Sequence, residues 1–159
     1  MHMVAVNGKG CRGFTLVELA VVIVIIGMLS AFGVPRFIKS VERSKAAEAF
    51  SYMKALQSAQ ERYRAREGTY ANDIVKIDIK LSAPKYFTLG TIAAGSGSSS
   101  LENAWSLTLT RLGPSAGYGA YTVTFNQDGY DSANSTIDGF PEIHPMDNEP
   151  NTGSSGSGG

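Results

Sequence analysis

Residues 19–35 read LAVVIVIIGMLSAFGVP, 17 positions without a charge between Glu18 and Arg36. With the apolar residues from Phe14 onward, the run reaches the ~20 residues that a bilayer-spanning helix requires. The remainder of the 159-residue chain is about one domain's worth, and 43% hydrophobic residues are enough for a packed core. Lys and Arg number 14, as do Asp and Glu. A balanced total gives no support to a general nucleic-acid binder. One cysteine, Cys11, and two histidines leave neither a disulfide framework nor zinc-ligand spacing.

The balance conceals an uneven distribution. Residues 36–67 carry eight basic side chains against four acidic ones, and residues 68–159 carry four against nine. An apolar helix is therefore followed by a basic stem and an acidic remainder. Ahead of it, residues 1–13 hold Lys9 and Arg12, are Gly-rich and lack apolar periodicity, so they read as a leader. Removal after Gly13 would take Cys11 and His2 with it.

Three readings compete for the apolar run. A secretory signal would use Lys9 and Arg12 as its basic region and Ala31-Phe32-Gly33 as a small-x-small cleavage site, but its apolar core should not open with a carboxylate. A plain anchor has the right length, yet Glu18 lies inside its apolar end, where an acidic group costs about 2.5–3.5 kcal/mol at a helix centre and less near the interface. The third reading gives the carboxylate a task. Gly13-Phe14-Thr15-Leu16-Val17-Glu18-Leu19, set between a short basic leader and the uncharged run, closely resembles the class III signal of type IV pilins and pseudopilins.

The resemblance implies cleavage by a prepilin peptidase between Gly13 and Phe14 and methylation of the new amino terminus on Phe14. It implies assembly roles for Thr15 and Glu18, with the Glu18 carboxylate paired to the amino terminus of a neighbouring subunit. The four-residue step from Phe14 to Glu18 puts the two on one helical face, and pairing removes two charges that are each costly alone in hydrocarbon. Gly27, Gly33 and Pro35 interrupt the helix, and Pro35 cannot donate to the carbonyl of Ala31. Similar filaments imply a stretch between such a glycine and proline that unwinds on assembly; a kinked but intact helix is the alternative.

The resemblance further implies a self-assembling helical homopolymer as the main partner, with the prepilin peptidase, an inner-membrane assembly platform and the cytoplasmic membrane as earlier ones. No cofactor, metal or catalytic residue is expected, since the residues select none. The subunit would cross the inner membrane once before assembly and end in an extracellular pilus or a periplasmic pseudopilus. Basic residues flank the span on both sides, Lys9 and Arg12 against Arg36, Lys39, Arg43 and Lys45, so the cytoplasmic placement of the leader follows from the resemblance and not from charge. A pilus is preferred over the type II secretion alternative because Trp105 follows Ala104 and no Asp-Pro-Trp-Gly-type motif is present.

The fold expected is α+β and pilin-like, a long amino-terminal helix packed on a small antiparallel sheet. Its parts are a leader (1–13), a transmembrane and filament-core helix (14–35), an amphipathic stem (36–67), a β head (68–144) and a flexible Gly/Ser-rich tail (145–159). The stem stripe is Ile38, Val41, Ala49, Met53, Leu56, Ala59 and Tyr63, with a polar gap at Lys45. Gly68 is placed to cap its end. Period-two alternation predicts strands at Val75–Leu81, Trp105–Leu109 and Tyr121–Phe125, with a fourth between Lys85 and Ala94. Residues 95–100 and 113–119 are expected loops.

Other chemistries have weaker support. The leaderless chain would hold one histidine, His144, and no nucleophile elbow, phosphate loop or metal pair. Arg62, Tyr63, Arg64, Arg66 and Tyr70 could contact DNA, as in uptake pilins, but arginines near a helix C-terminus are favoured by the macrodipole anyway. Nucleic acid is therefore not expected as a partner. The Asp128–Asp131 stretch is explained as well by a turn as by calcium. Basic stem and acidic head suggest charge complementarity between subunits.

Overall fold

The computed structural model describes residues 13–115 and 117–146. The expected cut-off leader, apart from Gly13, and most of the expected tail lie outside the described residues. The chain divides into two units between Phe37 and Ile38. One helix, α1 (Leu16–Glu67), contributes to both.

In the first unit, the described part of the apolar segment is helical from Leu16 and continuous through Gly27, Gly33 and Pro35. Its hydropathy and length meet the requirement for a membrane span, with a mean hydropathy of 2.5 over the most apolar window and none of that window buried. Phe14, Leu16 and Phe32 are each about four-fifths exposed. A run this apolar, left uncovered by the described residues, needs another apolar phase to cover it.

In the second unit, α1 is built from good helix formers without a Gly or Pro between Pro35 and Gly68. It stops where expected. Gly68 takes φ +78° and its N–H donates to the carbonyl of Arg64 at 2.8 Å, a left-handed cap that a residue with a Cβ would strain. The buried stripe is Glu42, Ala46, Ala49, Phe50, Met53, Leu56 and Gln60, with Tyr52 and Ala59 beside it. Ile38 and Val41, expected on the stripe, remain over a third exposed.

The sheet has five antiparallel strands: β1 (Phe87–Leu89), β2 (Ala93–Ala94), β3 (Trp105–Arg111), β4 (Thr122–Asn126) and β5 (Gly129–Tyr130). The order is β1-β3-β4-β5, with β2 also paired to β3. In register, Leu107 faces Phe125 and Leu109 faces Val123. Trp105, Leu107 and Leu109 of β3 are buried, while Ser106, Thr108 and Thr110 between them are half-exposed. This is the alternation read from the sequence. Together with Met53, Leu56, Ile137 and Ile143, these side chains form one core between α1 and the sheet.

The expected fourth strand proves to be two short ones on the same side of β3. At the break, the Gly90 N–H donates to the Thr108 carbonyl at 2.9 Å, and a Cβ on Gly90 would stand 2.9 Å from that same oxygen. Glycine allows the approach. The strand expected at 75–81 is absent. Ile74–Lys76 forms a 3-10 turn capped by Asp73, whose carboxylate accepts from the Val75 N–H at 3.0 Å. Val75 is 89% exposed and Leu81 51%. Alternation alone did not make a strand here, because the Asp73 cap turns the start of the segment into a 3-10 helix.

Candidate assembly interface

The start of α1 is set by two residues, Thr15 and Glu18. Thr15 precedes the first helical residue; its N–H and Oγ1 both donate to Glu18 Oε2 at 2.9 Å, and the Glu18 N–H donates to Thr15 Oγ1 at 3.2 Å. This reciprocal capping box satisfies donors that a helix end leaves open. The sequence shows it as Thr-x-x-Glu, a signal that the assembly reading of the same residues had left unused. Glu18 is the only charged side chain from Phe14 to Pro35, and it is exposed, as are Gly13, Phe14 and Thr15. Within its own chain its partner is Thr15.

Gly27 and Gly33 serve no packing need in the described chain, since a Cβ built on either meets nothing within 4 Å. Pro35 lies inside the helix, where its missing N–H leaves the Ala31 carbonyl without its usual donor. All three destabilise a helix, and among the described residues a Cβ at either glycine would meet no neighbour that explains its absence.

The second unit holds a polar cluster that sequence reasoning missed. Glu42, 2% exposed, receives Arg111 in a fork, Nε to Oε1 at 2.5 Å and Nη2 to Oε2 at 3.1 Å. The Tyr121 hydroxyl donates to Oε1 at 3.0 Å and Lys45 Nζ to Oε2 at 3.1 Å. Arg111 also donates to the carbonyls of Tyr86, Leu112 and Pro114. Tyr86 covers the cluster, with the Lys45 ammonium 4.7 Å and the Arg111 guanidinium 5.5 Å from its ring centre. Burial alone would raise the Glu42 pKa, but the hydrogen bonds from Arg111, Lys45 and Tyr121 outweigh it and hold the carboxyl below its ordinary value. Arg111 is held further toward its charged form by Glu42, and burial beside that carboxylate pushes the Tyr121 phenol well up. The cluster thus ties α1 to β1, to the end of β3 and to the β3–β4 loop. The signal for it was a carboxylate in step with Ala46, Ala49 and Met53, where the polar gap was read at Lys45.

Of the three arginines near the stem's end, Arg62 and Arg64 are engaged within the chain, while Arg66 is exposed. Arg62 Nη2 donates to the Asp78 carbonyl at 3.0 Å, and Arg64 Nη1 to the Tyr70 hydroxyl at 2.9 Å, with its guanidinium 4.8 Å from that ring. Tyr70 is buried and donates to Glu61, so its ring is not presented for stacking on a base. In the Asp128–Asp131 stretch, Asp131 accepts from the Asn134 N–H and side chain at 3.2 and 2.8 Å, while Gly129 at φ +116° makes the turn. Among the described residues no group of three metal-ligating side chains occurs. His144 is buried against Phe50 and Tyr130, 3.1 Å from Asp138 Oδ1, and its Nδ1 accepts from the Met146 N–H at 3.2 Å.

Comparison with known proteins bears on the amino-terminal segment first. Residues 8–34 match the family described as the prokaryotic N-terminal methylation motif. The chain is similar to the type IV major pilin protein PilA of Myxococcus xanthus, 47% identical over 66 residues, which are 40% of this chain and 30% of that protein. It is 36% identical over 83 residues to the type II secretion system core protein G of Escherichia coli, 52% of this chain and 55% of that protein. A fimbrial protein of Pseudomonas aeruginosa is 31% identical over 94 residues, 59% of this chain and 60% of the relative. The chain spans about a third to three-fifths of the length of these curated relatives.

Proposed function

We infer that this chain, which belongs through its amino-terminal segment to the type IV pilin and pseudopilin family, is a structural subunit of a pilus or pseudopilus filament. The observation that carries the reading is the apolar surface of α1 in the first unit. It is long enough to span a bilayer, none of its most apolar window is buried, and it bears one carboxylate in its first turn. A membrane covers such a surface before assembly, and the same surface of neighbouring subunits covers it afterwards.

In this reading a prepilin peptidase cuts between Gly13 and Phe14 and methylates Phe14, from a leader on the cytoplasmic side of the inner membrane. The new ammonium lies one turn before Glu18. Its own carboxylate is poorly placed to neutralise it fully, so Glu18 exchanges its Thr15 contacts for the ammonium of an adjoining subunit. Two charges that each oppose burial then favour it together. An assembly platform lifts the subunit out, and α1 loosens between Gly27 and Pro35 as it enters the filament core. The role is structural and not catalytic.

Mass spectrometry of the exported protein tests the first step, with an N-methylated Phe14 expected; any other amino terminus rejects it. Glu18→Ala tests the second, with membrane insertion kept and filaments lost. The similarity to the secretion-system core protein favours a pseudopilus as the second reading. Surface fibres in wild type that vanish on deletion, with secretion intact, select the pilus.

A further inference from the structure

The charges of the second unit are sorted by sheet edge. The segment before β1, residues 76–86, carries Lys76, Lys80 and Lys85 against Asp78. It passes α1, where Arg62 donates to the Asp78 carbonyl at 3.0 Å, and ends on the β1 side, where the Leu112 N–H donates to the Tyr86 carbonyl at 2.8 Å. Beyond β4 the sign reverses. Arg111 is the last Lys or Arg of the chain, and the described residues after it hold Asp128, Asp131, Asp138 and Glu142. This run lies on the opposite side, where the Asp131 and Thr136 N–H groups donate to the Thr124 and Thr122 carbonyls.

Between α1 and the chain before β1 lies a groove of about 470 Å³, lined by Ala55, Ser58 and Arg62 of α1 and by Asp78, Ile79, Lys80 and Leu81. Leu81 is half exposed at its mouth. The lining mixes apolar Ala55, Ile79 and Leu81 with two cations, Arg62 and Lys80, and one carboxylate, Asp78, so the charge balance favours an acidic partner surface. The acidic edge meets α1 at the same turn from the other flank, since Gln57 Nε2 donates to the Gln127 carbonyl at 3.0 Å. The two edges therefore stand at one height along the helix.

We propose that the groove beside Lys80 and Leu81 receives the acidic edge, led by Asp128, of a second copy of this chain. The contact is heterologous, because the surfaces that meet are different. Each subunit keeps one edge free for the next, which is the geometry that propagates into an open helical array and does not close as a dimer. The inference rests on the filament reading and assigns that filament its contact between heads.

Two experiments on the full chain in cells test it. Processing after Gly13 leaves no cysteine, so Lys80→Cys and Asp128→Cys can be introduced singly and together and treated with a short bismaleimide. A ladder of dimer, trimer and higher species is expected from the double variant and none from either single variant. Dimers from Lys80→Cys alone, or filaments without a ladder from the double variant, overturn the contact. Reversing one edge, Lys80→Glu with Lys85→Glu or Asp128→Lys with Glu142→Lys, should lower filament yield about tenfold or more through like-charge juxtaposition, with the membrane pool of subunit unchanged. Reversing both edges in one chain should restore it. Unchanged yield in the single-edge variants, or no recovery with both, overturns the proposal. A wild type that forms no filament rejects the filament reading itself.

Discussion

Glu42 on α1 and Arg111 at the end of β3 form a forked, buried ion pair across 69 residues of sequence, Nε to Oε1 at 2.5 Å and Nη2 to Oε2 at 3.1 Å. Removing two charges from water costs several kcal/mol each, and only good geometry with further hydrogen bonds offsets it. Here the further bonds come from Tyr121 and Lys45. The pair joins the stem to the sheet at the first buried residue of the helix.

Glu42→Ala should destabilise the head by about 3–5 kcal/mol, since it leaves the Arg111 charge buried and unpaired. Against a typical total of about 5–15 kcal/mol, that is roughly a fifth or more of the stability. Tyr121→Phe should cost about 1.5–3 kcal/mol, the range for a hydrogen bond to a charged group. Urea denaturation followed by Trp105 fluorescence measures both. Equal stability of Glu42→Ala and wild type would show the pair to be dispensable.

Stability should also fall in acid through this carboxyl. The folded pKa of Glu42 is lowered, so the unfolded chain binds the proton more readily. The contribution is complete above the ordinary carboxylate value of about 4.3 and is lost as pH falls through the lower folded value. Glu42→Gln should be less stable near neutrality and should flatten that part of the acid limb. Parallel acid limbs for the two proteins would assign the dependence to other groups.

Thr15 and Glu18 cap one another in the single chain, whereas assembly is proposed to redirect Glu18. Thr15→Val should therefore weaken the start of the helix yet leave filaments, and Glu18→Ala should abolish filaments. Glu18→Asp shortens the reach to the neighbouring ammonium and should give an intermediate yield. Counting fibres by electron microscopy, with immunoblots of the membrane fraction, separates the three. Equal fibre counts for Glu18→Ala and wild type would remove the intersubunit pair.

Gly27 and Gly33 have open space where a Cβ would stand, so alanine fits at both. Each replacement should favour the helix by about 0.5–1 kcal/mol in an aqueous setting. If the segment before Pro35 loosens during assembly, the double replacement Gly27→Ala with Gly33→Ala should slow filament formation while raising helix content in detergent. Full assembly at the wild-type rate would speak for an intact helix in the filament.

Much of the fold was legible because it rests on local patterns. A 17-residue uncharged run, the absence of Gly and Pro from 36 to 67 and the glycine at 68 define α1 almost to its last residue. Strict alternation at Trp105, Leu107 and Leu109 defines β3, whose two faces meet different surroundings. The same alternation at Val75, Ile77, Ile79 and Leu81 misled, because the Asp73 side chain caps a 3-10 turn at Ile74–Lys76, and periodicity does not report such a cap. Gln60 shows the same limit. A polar residue of the stem, it is buried and exchanges two hydrogen bonds with the backbone of Ala71, at 2.9 and 3.0 Å, a pairing that periodicity does not show.

By itself, then, the sequence determined an apolar helix with one carboxylate near its start, its continuation as an amphipathic stem and the strand that covers it. Those follow from hydropathy and from chain stiffness over neighbouring residues. Tertiary structure decided that Glu42 is a buried anchor and not a solvated stem charge, that the chain before β1 stays out of the sheet, and that basic and acidic edges lie on opposite sides of one head. Each depends on residues tens of positions apart meeting in space, where burial sets what a charge or an unpaired backbone group costs.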